Sequence, residues 1–144
     1  MIHRILEFRD TTAHDIMIPL IEVVAIEAKA NVEEVSKLIS LRGLSRIPVY
    51  EDRIDNIVGL VSSSTLVKEE MSLDTKSKEL MRDVLYIPET KRVREALSEF
   101  RERGEYFAVV VDEYGGAIGI LTVEDIMEEV FGSIEDEHDR SKRR

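Results

Sequence analysis

A pattern of residues recurs along this chain at a nearly fixed interval, and it limits the possible folds more than any other property. Ile26 and Ile87, Val32 and Val93, Ile39 and Phe100, and Gly43 and Gly104 are each 61 positions apart, while Gly59 and Gly119 are 60 apart. A period of this length means two copies of one supersecondary unit. Periodicity gives each copy the order strand, helix, strand, strand, helix, so the expected fold class is α+β. A unit of roughly 60 residues is marginal alone, so the copies are expected to share a core, meet face to face and leave clefts between them.

In the first copy, Val23–Ile26 reads as a strand. Asn31 caps a helix with Glu34 at its third position, and Val32, Val35, Leu38 and Ile39 form one apolar face before Gly43 ends it. Arg46–Tyr50 reads as a strand whose Pro48 implies an edge or a missing ladder hydrogen bond. A polar turn over Glu51–Asn56, a strand over Ile57–Val61 and a helix over Ser62–Met71 complete the copy. In the second, Val84–Ile87 is a strand, and Val93, Ala96, Leu97 and Phe100 line a helix ended by Gly104. Tyr106–Val111 and Ala117–Leu121 then form a hairpin about Gly115-Gly116. Ahead of both, Ile2, Ile5, Leu6 and Phe8 suit an amphipathic lead-in helix over residues 1–14. Asp15–Pro19 is a turn of helix halted by the proline, which forces Ile18 to be extended. The expected division is therefore repeat one over 15–71, a polar connector over 72–78, repeat two over 79–132, and a flexible tail over 133–144, acidic and then basic.

Composition excludes several classes. The chain has 144 residues, 43% of them hydrophobic and 35% charged, which is enough for one core and an ordinary soluble surface. A formal charge of −10 argues against a nucleic-acid backbone or an anionic lipid surface as the main partner. There is no cysteine, so disulfides, thiolate metal sites and cysteine nucleophiles are excluded. No apolar run approaches a membrane span, and the first residues carry no signal-peptide core, so the piece reads as soluble, alone or within a larger membrane protein. His3, His14 and His138 are far apart and show no metal-ligand spacing, and the acids of Glu135–Asp139 read as a solvated tail before a cation site. No lysine-bearing phosphate loop, paired catalytic carboxylates or activated nucleophile is present, so catalysis is not expected.

The stretch Gly119-Ile-Leu-Thr122-Val-Glu-Asp125 sets a strand end, a helix start, a hydroxyl and a carboxylate side by side. First-turn N–H groups favour an anion, and a threonine hydroxyl can donate to a phosphate or ribose oxygen. Asp125, an acceptor only, suits the vicinal hydroxyls of a ribose, and Gly119 lets another group approach the strand. The same residues also fit a capping box in which Thr122 and Asp125 satisfy only their own helix, and the pattern alone favours that plainer account.

Two such repeats, each with a glycine in its last strand and a polar helix start, resemble a pair of CBS domains, or Bateman module, over about residues 10–132. Asp15-Ile-Met-Ile-Pro, Ser45-Arg-Ile-Pro-Val-Tyr, Val111-Asp-Glu-Tyr-Gly-Gly, Leu121-Thr-Val-Glu-Asp-Ile and Ile134-Glu-Asp-Glu-His-Asp are similar to segments of the CorC/HlyC and CNNM proteins, linked to magnesium and cobalt transport or efflux. The resemblance implies repeats related by a pseudo-twofold axis, and an adenine nucleotide, ATP with Mg²⁺ or else AMP, bound in a cleft. It implies ribose contacts from Gly119, Thr122 and Asp125, with the base against Ile18 and Pro19 and against Leu44, Ser45, Arg46, Ile47 and Pro48. Arg46 is equally well explained as a surface ion pair. In the first repeat the equivalent stretch is Gly59-Leu-Val-Ser62-Ser-Ser-Thr65, with threonine in place of the carboxylate, so one nucleotide per chain is expected. The family further implies a homodimer formed through the repeats, and a place at the cytoplasmic face of a membrane beside a transport domain. A dimerisation module without nucleotide sensing is the alternative.

Overall fold

The computed structural model describes residues 9–68 and 72–142. Its elements, in chain order, are α1 (Ala13–Ile16), β1 (Ile18–Pro19), a 3₁₀ turn (Leu20–Glu22), β2 (Ile26–Glu27), α2 (Val32–Arg42), β3 (Arg46–Glu51), β4 (Arg53–Ser62), α3 (Ser63–Lys68), α4 (Ser77–Leu80), β5 (Leu85–Pro88), α5 (Val93–Arg103), β6 (Phe107–Val111), β7 (Ala117–Thr122) and α6 (Val123–Lys142). The expected strand, helix, strand, strand, helix order appears twice, from β2 to α3 and from β5 to α6. The fold is α+β with two sheets.

The main helices begin and end where their caps dictate. Asn31 Oδ1 accepts from the Glu34 N–H at 3.0 Å while Glu34 Oε2 accepts from the Asn31 N–H at 3.3 Å, closing a reciprocal box. Gly43 and Gly104 then end α2 and α5 in the left-handed conformation, at φ 62° and 64°.

Packing divides the chain into two compact units whose edges differ from the repeat boundaries. One holds Glu22–Val84; the other joins the described residues up to Ile21 to those from Leu85 onward. In the first, β2, β3 and β4 form a sheet over a core of Val32, Val35, Ile47, Val49, Val61 and Leu80. In the second, the sheet runs β1-β7-β6-β5 over Ala13, Ile87, Val93, Phe100, Leu121 and Ile126. Each sheet thus takes a lead-in from the other repeat. β1 pairs antiparallel with β7, Ile18 opposite Ile120 and Pro19 opposite Gly119. Likewise, Arg82 exchanges two backbone hydrogen bonds of 2.9 Å with Leu60 of β4.

Several expectations are corrected. The Val23–Ile26 strand shrinks to Ile26–Glu27, the two residues that find partners on β3, while Leu20–Glu22 before it forms a 3₁₀ turn. β3 is central rather than an edge, but β2 pairs only with Val49 and Tyr50, so Pro48 lies where no ladder bond is asked of it on that side. The polar turn at Glu51–Asn56 tightens around Asp52, at φ 66°, and β4 runs on through Arg53. The connector's last two residues open α4, whose Ser77 is fully buried and donates from Oγ to the Ala30 carbonyl at 2.9 Å. Beyond 132, where a flexible tail was expected, α6 continues to Lys142. The lead-in helix of Ile2, Ile5, Leu6 and Phe8 lies outside the described residues.

Candidate functional site

One unit gathers five of the expected site residues: Ile18 and Pro19 on β1, Gly119 and Thr122 on β7, and Asp125 in the first turn of α6. β6 and β7 place Thr122 at the strand end, opposite Phe107, and the chain turns directly into α6. Thr122 is buried, and its Oγ1 accepts from the Asp125 N–H at 3.0 Å. Having accepted there, the hydroxyl still carries a proton to donate.

At Asp125 half of the capping box is present, its N–H held by Thr122, while the carboxylate is not used up by the cap. Its Oδ2 is buried and has no hydrogen-bond partner. An unpaired buried carboxylate oxygen loses its hydration without compensation, a cost of about 1–3 kcal/mol or more for a charged group. Such an atom can take a donor from a ligand or from water. Two vicinal hydroxyls would supply one, since an ionised carboxylate accepts and cannot donate.

The helix start offers less to an anion than the sequence implied. The Val123 N–H already donates to the Tyr106 carbonyl at 3.0 Å, and that of Asp125 is held by Thr122. Glu124 and Asp125 add negative charge to the same turn, so a phosphate brought here needs a counter-cation.

The role expected of Gly119 also changes. The group it admits is the chain itself, for a Cβ there would stand 2.5 Å from the Ile18 carbonyl oxygen and 2.8 Å from Met17 Sδ. Met17 was missed by sequence reasoning. The signal that marks it is the pair Ile16-Met17, repeated as Leu80-Met81, with Met81 lying against Gly59 in the same way.

Leu44, Ser45, Arg46, Ile47 and Pro48 belong to the other unit. Ile47 is fully buried in that unit's core, so its side chain is committed to packing. Leu44 packs at the edge of the same core, and the Ser45 carbonyl accepts from the Ser63 N–H at 2.8 Å. Pro48 is buried, Ser45 is exposed and Arg46 is half-buried. Among the described residues no cluster of three His, Asp or Glu side chains could hold a metal ion.

Comparison with known proteins places the chain in a family: the CBS domain matches twice, at residues 13–72 and 78–132. The chain belongs to the CBS-domain family. It is 35% identical over its full length to the magnesium and cobalt efflux protein CorC of Vibrio cholerae, covering 50% of that protein. It is also similar to a solved CBS domain of the bacterial CNNM/CorC family Mg²⁺ transporter in complex with ATP, at 36% identity and a TM-score of 0.84, covering 91% of this chain and 94% of that one. A CBS-domain pair with bound AMP from Klebsiella pneumoniae aligns at 26% identity and a TM-score of 0.71, covering 84% of this chain and 98% of that one. The chain spans between 22% and 50% of the length of the curated relatives it matches. None of its described helices is long and apolar enough to cross a membrane.

Proposed function

We propose that this CBS pair is a regulatory module that binds one adenine nucleotide and passes the bound state to the transport part of a longer magnesium or cobalt efflux protein. The observation that carries the proposal is the buried, partnerless Oδ2 of Asp125 beside the Thr122 hydroxyl. Asp125 accepts from the ribose hydroxyls, Thr122 donates to the sugar or its phosphate, and Ile18 and Pro19 lie along the base. A part for Leu44, Ser45, Arg46 and Pro48 rests on the family resemblance alone, and for Ile47 only its main chain remains to contribute.

ATP carrying Mg²⁺ is favoured over AMP because Glu124, Glu128 and Glu129, all exposed on α6, repel a bare phosphate and tolerate a charge-compensated one. The similar structures with ATP and with AMP support the nucleotide class. The module acts without catalysis at the cytoplasmic face of the membrane, as a homodimer.

Calorimetry with ATP, with and without Mg²⁺, and with AMP tests this. One site per chain is expected, because Thr65 stands where the second carboxylate would be. Asp125→Ala should weaken binding about 10- to 100-fold, the worth of a hydrogen bond to a charged group. It should leave the melting temperature of the ligand-free chain unchanged or raise it, since the unpaired oxygen is removed. Two equal sites would contradict the single-site claim, and tighter AMP than Mg-ATP would make the module an energy-charge sensor. No binding, with an unshifted melting temperature in excess nucleotide, would leave only a dimerisation module.

A further inference from the structure

We propose that Met17 is a positioning residue of this site: its thioether seats β1 on Gly119 and so fixes where Ile18 and Pro19 stand beside Thr122 and Asp125. The inference rests on the nucleotide reading above. A Cβ placed on Gly119 would lie 2.8 Å from Met17 Sδ and 3.1 Å from its Cγ, so the methionine side chain lies against bare backbone. β1 is two residues long, and one of them is a proline, which donates no hydrogen bond. So short a strand has few ladder bonds of its own, and a side-chain anchor adds to them. Met17 provides it. Partly buried, it packs against the core around Ala13, Phe100 and Leu121, and its N–H closes α1 by donating to the Ala13 carbonyl at 2.8 Å. Helix end, methionine and strand are therefore one piece, pressed onto the strand that carries Gly119 and Thr122.

The other unit repeats the device. A Cβ on Gly59 would lie 2.5 Å from Met81 Sδ, 2.8 Å from its Cγ and 3.0 Å from the Arg82 carbonyl oxygen. The Met81 N–H closes α4 on the Ser77 carbonyl at 3.0 Å. The backbone matches too, at φ −53°, ψ 151° for Met17 and φ −72°, ψ 152° for Met81. Only the first seat stands behind a carboxylate, because Thr65 replaces Asp125 in the other repeat. This asymmetry separates the two roles a methionine can have. A packing role makes both methionines matter to stability and neither to affinity; a positioning role makes affinity depend on Met17 alone.

The experiment is calorimetry with Mg-ATP and, separately, with AMP on the full chain and on Met17→Ala, Met17→Leu and Met81→Ala, each paired with a thermal melt. Met17→Ala should bind about tenfold more weakly, as it would if β1 were seated in one molecule in ten. Met17→Leu, close to it in volume, should recover most of that loss. Met81→Ala should melt about as low as Met17→Ala and bind as the parent chain does. Parent-like affinity in Met17→Ala, or equal losses in Met17→Ala and Met81→Ala, overturns the inference and leaves the nucleotide reading standing. A parent chain that binds neither probe overturns both. Should Met17→Ala fail to fold, Met17→Gln and its twin Met81→Gln, which keep the length and replace the thioether, carry the same comparison.

Discussion

Gly119 and Gly59 occupy equivalent places, yet the atoms next to them differ in how far they can yield. A Cβ at 119 meets a carbonyl oxygen, that of Ile18, at 2.5 Å, and β1 would have to leave its register to admit it. A Cβ at 59 meets first the end of Met81, at 2.5 Å to Sδ, which can rotate away, while the nearest carbonyl, of Arg82, is 3.0 Å off. Gly119→Ala should therefore cost about 1–3 kcal/mol, the usual range for overpacking, and Gly59→Ala clearly less. Chemical denaturation of the two variants measures the difference, and equal costs would mean that β1 shifts as easily as a methionine side chain does. Neither glycine can be ranked from sequence, where both are simply the glycine of a last strand.

Among the elements, what was legible in the sequence is what local chemistry specifies. Asn31 with Glu34 states a helix start, Gly43 and Gly104 state helix ends, and Gly115-Gly116 states a reversal, and each is found in place. Asn31→Ala removes an acceptor from the Glu34 N–H and should lower stability by about 1 kcal/mol, with Asn31→Asp retaining most of it. An urea melt of both variants decides this, and an unchanged midpoint for the alanine would show that solvent replaces the cap. The elements that were missed have another origin. β2 is two residues long because its partner strand, not its own sequence, defines it. β4 extends back to Arg53, which pairs with Glu51 beyond a break in register, with no apolar alternation over Arg53–Asn56 to announce it. α4 lies in a stretch rich in charge, and its reason for folding is a buried serine bonded to a residue far away in the chain, Ala30. At the site, the types and spacing of Thr122 and Asp125 were readable, but the unpartnered Oδ2 and the seat beneath Gly119 exist only once β1 and β7 have met.

For the whole molecule, the exchange of lead-ins makes the repeat a poor guide to the folding unit. Residues 9–21 lead into and begin the first repeat in the chain and yet belong to the unit built from the second, tied there by Ala13 N–H to the Lys91 carbonyl at 2.8 Å, Val93 N–H to the Thr11 carbonyl at 2.9 Å, and the β1–β7 ladder. His14 Nδ1 adds a contact to Glu89 Oε1 at 3.1 Å, with the imidazole exposed and so of small individual worth. Removing residues 1–20 should consequently injure the distant half. It strips β7 of one of its two neighbours, exposes the Gly119 edge, takes Ile18 and Pro19 from the proposed site and removes Ala13 from the core of Phe100 and Leu121. Hydrogen exchange should then quicken across β6 and β7 while β3 and β4, whose own lead-in of Ser77 to Arg82 is untouched, keep their protection. Nucleotide affinity should fall with the β7 protection rather than with that of β4. Faster exchange confined to β3 and β4 would mean that the lead-in supports its own repeat after all.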